Sequence, residues 1–297
     1  MIAGHRVTDI HVHIQPWEMH PPKVQQATES GRSDLDRIRA FMESPKAFLE
    51  YLDECGIDRV GVINYVAPDV MGFTSDVNEW SARYAAIAPE RLIPFGSVNP
   101  RFTNDPAGET QRVLDLGIRG LKVHPPHQLF DVNDYRTGGP GAGIGDVFRV
   151  AEERGVPVMI HTGTSVFPGA RNVHADPMPA DDVGVDFPKL RVILAHAGRP
   201  LHGDAARFLV RRHPNFFLDL SGIPPRRLLH YVPWLADVAD RCLWGSDWPS
   251  PGVTDVRKNV EHFLALELSE PARRAILWDN AARLFSEKGT LPFDYGR

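Results

Sequence analysis

The chain has 297 residues, of which 42% are hydrophobic and 24% are charged, a composition typical of a folded globular protein and not of a disordered one. Lys and Arg number 33 against 38 Asp and Glu, and the net charge of −5 argues against a broad nucleic-acid surface or a polybasic membrane surface. Cys55 and Cys242 form neither a disulfide framework nor a zinc ribbon. No run approaches the roughly 18 apolar residues of a membrane span, and no signal peptide is indicated. We expect a cytoplasmic protein whose partner is a small-molecule substrate.

Eight short apolar runs recur along the chain, and most of them are almost continuously hydrophobic. Such runs are typical of strands that are buried on both faces. In chain order, the predicted strands are residues 8–14, 59–65, 92–98, 120–125, 157–163, 191–198, 216–222 and 242–248.

Helices are predicted between these strands. Residues 45–56 begin with a proline and end at a glycine, and residues 76–88 begin with an aspartate. The other predicted helices are 105–117, 145–155 and 203–213. Eight strands that alternate with helices are typical of a parallel α/β fold, and their number favours a (β/α)8 barrel over an open, doubly wound sheet. We therefore predict a single barrel domain over residues 1–297.

Two connections are too long for simple turns: residues 15–44 and residues 164–190. In a barrel both lie at the C-terminal rim, where loops cover the active site. A functional role is favoured for 164–190, whereas solvent-exposed decoration is an equal alternative for 15–44. The glycine-rich segment 138–146 lacks the spacing of a phosphate-binding loop and is interpreted as the loop that opens the fourth helix.

Polar residues stand at the ends of several predicted strands. His11 and His13 are two positions apart, so they share one strand face, and their imidazoles lie about 7 Å apart, close enough to hold one metal ion. His161, His196 and Asp247 each end another apolar run, and strand-breaking residues follow each of them. A polar residue buried there is costly unless it is paired or ligated. Five such residues at one rim predict a metal site.

These motifs resemble the amidohydrolase superfamily, which carries HVH on the first strand, histidines on the fifth and sixth, and SD on the eighth. The segments GLKVHP, VILAHAG, LWGSDWP and NAARLF are similar to its amidohydrolase-related branch. That branch includes metal-dependent hydrolases, lactonases and the aminocarboxymuconate-semialdehyde decarboxylase group. The resemblance covers Thr8 to Phe285 and implies a TIM barrel with a metal at its C-terminal rim.

The resemblance also implies roles for individual residues. It assigns His11, His13, His161 and Asp247 as the ligands of a mononuclear site, and it places His196 beside the metal-activated water. Asp247 and His196 are therefore the predicted catalytic residues. Asp247 accepts the proton of the water, and His196 orients the nucleophile or polarises a carbonyl. Zinc is expected first because three imidazoles and a carboxylate suit it, and manganese or iron would fit similar ligands.

Lys122 leaves the number of metal ions open. Binuclear members of the superfamily carry a carboxylated lysine there, and His196 would complete such a site. One ion is favoured, with Lys122 as a cationic contact for a substrate oxygen, and an ion pair in the barrel floor is the structural alternative. His124 lies on the same strand face and is a further candidate for substrate binding. Arg171 and Arg199 are candidate clamps for a substrate carboxylate.

The leading functional prediction is a metal-dependent hydrolase that uses a metal-activated water on a small amide, lactone or ester. A non-oxidative decarboxylase of an aromatic or muconate-like acid is the first alternative, although GRPLHGD after His196 lacks the continuation associated with that subgroup. A non-catalytic barrel that binds a metal or ligand is the second alternative.

Other histidines, among them His20 and His262, lack a strand-end context and are not expected in the site. The proline-rich segment 15–25 is compatible with a homodimer.

Overall fold

Eight parallel strands follow one another around a barrel, and each strand pairs with the next one along the chain. They are β1 Thr8–Val12, β2 Arg59–Val62, β3 Leu92–Gly96, β4 Gly120–Val123, β5 Val158–His161, β6 Val192–Ala195, β7 Phe216–Asp219 and β8 Cys242–Leu243. The structure is a computed structural model and describes residues 1–250, 253 and 255–285. The predicted barrel and all eight predicted strands are confirmed, and the strands are shorter than predicted.

Backbone hydrogen bonds close the barrel between the last strand and the first. The Ile10 N–H donates to the Trp244 carbonyl oxygen at 3.0 Å, and the Asp247 N–H donates to the His11 carbonyl oxygen at 2.9 Å. Closure thereby fixes the segment after β8 directly beside the HVH motif of β1. Two candidate ligand segments that are far apart in the sequence become neighbours.

Helices surround the barrel and fill its connections. They are α1 Pro22–Glu29, α2 Leu35–Glu43, α3 Pro45–Cys55, α4 Pro68–Met71, α5 Asp76–Ala85, α6 Pro106–Asp115, α7 Pro125–Gln128, α8 Asp134–Thr137, α9 Ile144–Glu153, α10 Ala180–Asp186, α11 Gly203–Arg212, α12 Leu228–Tyr231, α13 Val256–Leu264, α14 Glu270–Arg274 and α15 Asn280–Leu284. Short 3₁₀ segments lie at Trp17–Met19, Pro100–Phe102, Asn172–Ala175, His196–Gly198, Pro225–Arg227 and Leu235–Arg241, and a π-helical turn lies at Ala275–Asp279.

The five predicted helices correspond to α3, α5, α6, α9 and α11. The long connection 15–44 is largely helical, because it contains α1 and α2, and 164–190 contains α10. Within the described ranges, none of the helices combines the length and the apolar character that a bilayer crossing requires.

The barrel interior changes from apolar to polar along the strands. Met159 and Phe217 are fully buried in the hydrophobic core. His161 and Asp219 come two positions later on the same strands, and side chains two apart in a strand share one face. The apolar side chains therefore seal the middle of the barrel, and the polar ones collect above them at the C-terminal end.

A helix cap offers a stability test that leaves this polar end untouched. The Asp105 carboxylate accepts a hydrogen bond from the Gly108 N–H at 2.9 Å at the start of α6. We expect Asp105→Ala to lower the free energy of unfolding by about 1 kcal/mol, because the amide loses its partner. Urea denaturation measures this, with Asp240→Ala at an exposed position outside the α-helices as the control. Equal losses in both variants would contradict the capping role.

Candidate metal centre

Side chains from the C-terminal ends of several strands line a cavity of about 560 Å³. The sequence-predicted site residues that line it are His11, His13, Lys122, His124, His161, His196, Arg199 and Asp247. The tertiary structure thus brings together residues from β1, β4 and β5 and from the segments that follow β1, β4, β6 and β8.

The His11 ring is held in one orientation by a buried carboxylate. Its Nδ1 lies 2.5 Å from Asp219 Oδ2, and the same oxygen accepts a hydrogen bond from the Ser221 hydroxyl at 2.7 Å. Gly245 permits this approach, because a Cβ at that position would lie 2.5 Å from Asp219 Oδ1 and 2.9 Å from His11 Cβ. Burial lowers the pKa of His11 well below its usual value, so the ring is neutral and donates its Nδ1 hydrogen to Asp219.

This hydrogen bond leaves the Nε2 lone pair of His11 directed away from Asp219. His11 Nε2 is buried and has no hydrogen-bond partner among the described residues. An unsatisfied buried polar atom is unfavourable, whereas a cation would satisfy it. A carboxylate that orients an imidazole in this way is typical of histidines that bind metals. The chemistry of His11 therefore fits a metal ligand.

Asp247 and His13 complete a compact group around that atom. Asp247 Oδ1 lies 3.1 Å from His13 Nε2 and 3.6 Å from His11 Nε2. Tetrahedral coordination with bonds of 2.0–2.1 Å places neighbouring ligand atoms about 3.3 Å apart. The spacing of these three atoms therefore fits one divalent cation. We call these residues the ligand group.

The backbone at two site residues adopts an unusual conformation. Asp247 has φ of 66° and His196 has φ of 64°, in the left-handed region that residues other than glycine rarely adopt. Such strain persists only where the surrounding structure imposes it, and it concentrates at functional sites. At Asp247 the constraint comes from its backbone hydrogen bond to His11 and from Trp248, whose ring stacks on Phe48 with centroids 6.1 Å apart.

His196 and His161 lie beside the ligand group. The His196 ring is 4.9 Å from that of His11, and its Nδ1 donates to the Ser221 carbonyl oxygen at 3.1 Å. The His161 ring is a further 4.6 Å away from that of His196. The compact ligand group does not include His161, whose Nε2 lies 3.2 Å from the Gly163 carbonyl oxygen. Three of the four predicted ligands converge, and His161 lies next to them.

Electrostatics favours a charged Asp247. Burial alone would raise the pKa of its carboxyl group, but the nearby His196 and the hydrogen bond from His13 outweigh that effect and lower the pKa. Burial lowers the pKa values of His161 and His196 well below their usual value. Neutral imidazoles beside a carboxylate are the protonation states that metal ligands require.

Lys122 is fully buried and points a cation into the cavity. Its Nζ lies 3.5 Å from Met159 Sδ, and within the described chain it has no carboxylate at ion-pair distance. Burial lowers the pKa of Lys122 to about 8, while Asp219 and Asp247 oppose this shift. The ion pair considered for the barrel floor is therefore not found in the described chain, which leaves the ammonium group free for a ligand.

The remaining predicted substrate contacts separate into two groups. His124 is buried and stacks on His161 with centroids 3.8 Å apart, and Arg199 Nη2 lies 3.8 Å from Asp247 Oδ2. Arg171, by contrast, is exposed and is not among the described residues that line the cavity. Its backbone N–H donates to the Pro126 carbonyl oxygen at 2.8 Å, which fixes this part of the loop with the side chain in solvent. The structure therefore does not support a role for Arg171 as a substrate clamp.

The site also contains residues that were not predicted from the sequence. Asp219 ends the apolar run FFLD, the same signal that singled out His161, yet it was not selected. His20 and His262 line the cavity, contrary to expectation. His20 is 8% exposed, and neither of its ring nitrogens has a partner in the described chain. No local pattern marks it, because it comes from a loop.

The role of Asp219 can be tested without a substrate. We expect Asp219→Asn to weaken binding of a divalent ion by about 10–100-fold, because the amide no longer orients His11 as the carboxylate does. Competition with a fluorescent chelator measures the affinity. Asp240→Asn, an exposed change on the segment before β8, serves as the control. Unchanged affinity in Asp219→Asn would show that the carboxylate does not support the ligand group.

Comparison with known proteins covers nearly the whole chain. A family model described as Amidohydrolase matches residues 8–286. A curated relative, the 4-sulfomuconolactone hydrolase of Hydrogenophaga intermedia, is 43% identical over 60 residues, which are 18% of this chain and 20% of that protein. The chain thus matches about one fifth of the length of this relative.

Solved structures share the fold. A TIM-barrel protein from Bordetella bronchiseptica has a TM-score of 0.70 and 23% identity, over 96% of this chain and 100% of that chain. The 5-carboxyvanillate decarboxylase of Sphingomonas paucimobilis has a TM-score of 0.65 and 19% identity, over 94% and 98%. At these identities the likeness establishes the barrel and leaves the reaction to the site.

Proposed function

The chain belongs to the amidohydrolase family, and from that premise we propose that it is a metal-dependent hydrolase that opens a lactone or a related ester or amide of a small anionic compound. The observation that carries the proposal is the ligand group. Its geometry fits one divalent ion, and its residues line a cavity large enough for a small molecule.

Different side chains of the site would perform different steps of the hydrolysis. A divalent ion held by the ligand group would act as a Lewis acid on the substrate carbonyl and acidify water. The second carboxylate oxygen of Asp247, Oδ2, lies 3.8 Å from Arg199 Nη2 and is the oxygen that accepts the proton of the attacking water. His196 donates its Nδ1 hydrogen to the Ser221 carbonyl oxygen, so its Nε2 keeps a lone pair that would accept a hydrogen bond from the attacking water and orient it.

The charges of the cavity support an anionic substrate. Lys122, Arg199 and Arg226 line it, against Asp247 as the carboxylate among its described lining residues. Positive side chains in a cavity attract negatively charged ligands. The short match to a protein named as a lactone hydrolase makes a carboxylate-bearing lactone the first candidate. Zinc is the first metal to test, followed by manganese and iron.

An assay separates the proposal from decarboxylation by the same residues. Purified protein loaded with zinc, manganese or iron is given carboxylate-bearing lactones, their esters and amides, and a panel of aromatic and muconate-like acids. We expect lactone opening, seen as acid release in a pH-stat, and we expect a chelator to abolish it. Carbon dioxide release from the acids with no hydrolysis of any carbonyl substrate would identify a decarboxylase and overturn the proposal.

A further inference from the structure

A second polar arrangement lies in the cavity outside the ligand group. The Tyr65 hydroxyl lies 2.9 Å from His127 Nδ1, and His127 Nε2 lies 2.7 Å from Ser165 Oγ. All three residues line the cavity. They come from three different connections, after β2, β4 and β5, so the barrel brings them together. We call them the Tyr–His–Ser row.

The row has a defined hydrogen-bond direction. Tyr65 is 3% exposed, and in the described chain its hydroxyl has no partner other than His127. Burial raises the pKa of Tyr65, so the hydroxyl keeps its hydrogen, and His127 Nδ1 is the acceptor that the described residues offer it. Burial also lowers the pKa of His127 to about 3, so the ring is neutral and carries one hydrogen. With Nδ1 as the acceptor, that hydrogen lies on Nε2 and is donated to Ser165 Oγ.

Ser165 therefore accepts rather than donates within the protein. Its Oγ receives the hydrogen of His127 and also that of the Phe167 N–H, at 3.3 Å. Two accepted hydrogen bonds occupy both lone pairs, and the hydroxyl hydrogen stays available. Asn172 fixes the serine backbone from both sides, accepting from the Ser165 N–H at 2.8 Å and donating to its carbonyl oxygen at 3.0 Å.

A series of neighbouring histidine rings links the row to the ligand group, and Ser165 has no hydrogen bond to that group within the described chain. The rings of His127, His124, His161 and His196 follow one another with centroid distances of 3.6, 3.8 and 4.6 Å. The series connects His127, which contacts Ser165, to His196, whose ring is 4.9 Å from that of His11. A substrate whose reacting carbonyl lies at the ligand group would present another of its groups to Ser165.

We propose that Ser165 donates its hydroxyl hydrogen to a carboxylate oxygen of the substrate, and that Tyr65 and His127 fix the direction of this bond. The inference rests on the proposed function for the identity of the reacting group. It adds a specificity-determining residue, because a committed donor favours substrates that carry a hydrogen-bond acceptor at this place, and most strongly an anionic one. A hydrogen bond to a charged group is stronger than one between neutral groups.

Binding can be measured apart from catalysis with adipate, a six-carbon dicarboxylate that the enzyme cannot hydrolyse. Calorimetric titration of the metal-loaded protein is expected to show adipate binding that weakens on the order of tenfold in Ser165→Ala. Ser75→Ala, on the exposed surface before α5, is the matched control and is expected to bind as the parent protein does. Absence of adipate binding, or equal affinities in the parent and Ser165→Ala, would overturn the inference.

Nuclear magnetic resonance shows which ring nitrogen of His127 carries the hydrogen, and therefore the direction in which the hydrogen bonds of the row run. In ¹⁵N-labelled protein, His127 is expected to be protonated on Nε2, and Tyr65→Phe is expected to release that preference. A hydrogen on Nδ1 of His127 in the parent protein would overturn the inference, because Ser165 would then donate to the ring.

Steady-state kinetics distinguish a lost substrate contact from a damaged fold. Ser165→Ala is expected to raise KM and leave kcat within about threefold, whereas loss of the fold would lower all activity.

Different results would reject the proposed hydrolase activity and the proposed role of Ser165. Adipate binding that depends on Ser165, without opening of any lactone, ester or amide, would reject the hydrolase and retain the anion contact. Hydrolysis with the same KM in Ser165→Ala and the parent would retain the hydrolase and reject the role of Ser165.

Discussion

Asp247→Asn is expected to reduce kcat by about 10²–10⁴-fold, because the amide cannot accept the proton of the attacking water. The substitution keeps the size of the side chain and one oxygen near His11 and His13, so metal is expected to stay bound, more weakly. The left-handed backbone at this position tolerates asparagine as readily as aspartate. Steady-state kinetics and metal content, measured on the same preparation, test both parts.

The matched control for this variant is Asp240→Asn, an exposed aspartate a few residues earlier in the chain. It is expected to retain parent activity and parent metal content. Activity of Asp247→Asn within about tenfold of the parent would reject Asp247 as the proton acceptor. Complete loss of metal from Asp247→Asn would instead assign it a purely ligating role.

Lys122→Met is expected to lower kcat/KM for an anionic substrate by about 10–150-fold and, at the same time, to raise the melting temperature. The kinetic loss corresponds to one hydrogen bond to a charged group. The gain in stability arises because methionine removes a buried cation whose described hydrogen-bond partner is a thioether sulfur. Each kcal/mol gained corresponds to about 2–4 °C in the melting temperature.

The pH dependence of this stability gain has a defined sign. Burial lowers the pKa of Lys122 to about 8 from 10.5, so below pH 8 the lysine is charged in both the folded and the unfolded chain. The advantage of Lys122→Met is therefore greatest below pH 8. It shrinks as the pH rises towards 10.5, because only the unfolded chain then carries the charge.

Thermal unfolding of the metal-free parent and variant across this pH range measures the effect. Lys258→Met, at an exposed position of α13, is the control and is expected to change neither the melting temperature nor kcat/KM appreciably. A lower melting temperature for Lys122→Met would show that the lysine stabilises the fold through its neighbouring carboxylates.

Local patterns in the sequence were sufficient to predict the barrel fold and the polar residues at the ends of its strands. The apolar runs predicted all eight strands because strands buried on both faces must be hydrophobic over their whole length. Polar residues at the ends of such runs stand out against that background, and His11, His13 and Asp247 were recognised in this way. The amidohydrolase family followed from the same motifs and is confirmed over residues 8–286.

Distances across the barrel mouth were decided by the tertiary structure. Asp219 lies 208 residues from His11 along the chain, and their contact requires a glycine at position 245, where a Cβ would lie too close to both residues. The same holds for Arg171, which the sequence placed at the site and the loop directs to solvent.

The sequence by itself therefore determined which elements form and which strand ends carry chemistry, because burial and period act within a few neighbouring residues. The tertiary structure decided which nitrogens are left without partners, which cation lacks a counter-ion and which hydroxyl is a committed donor. Those properties depend on contacts between connections 38 to 62 residues apart, as in the Tyr–His–Ser row. Only closure of the barrel brings such connections to within hydrogen-bond distance.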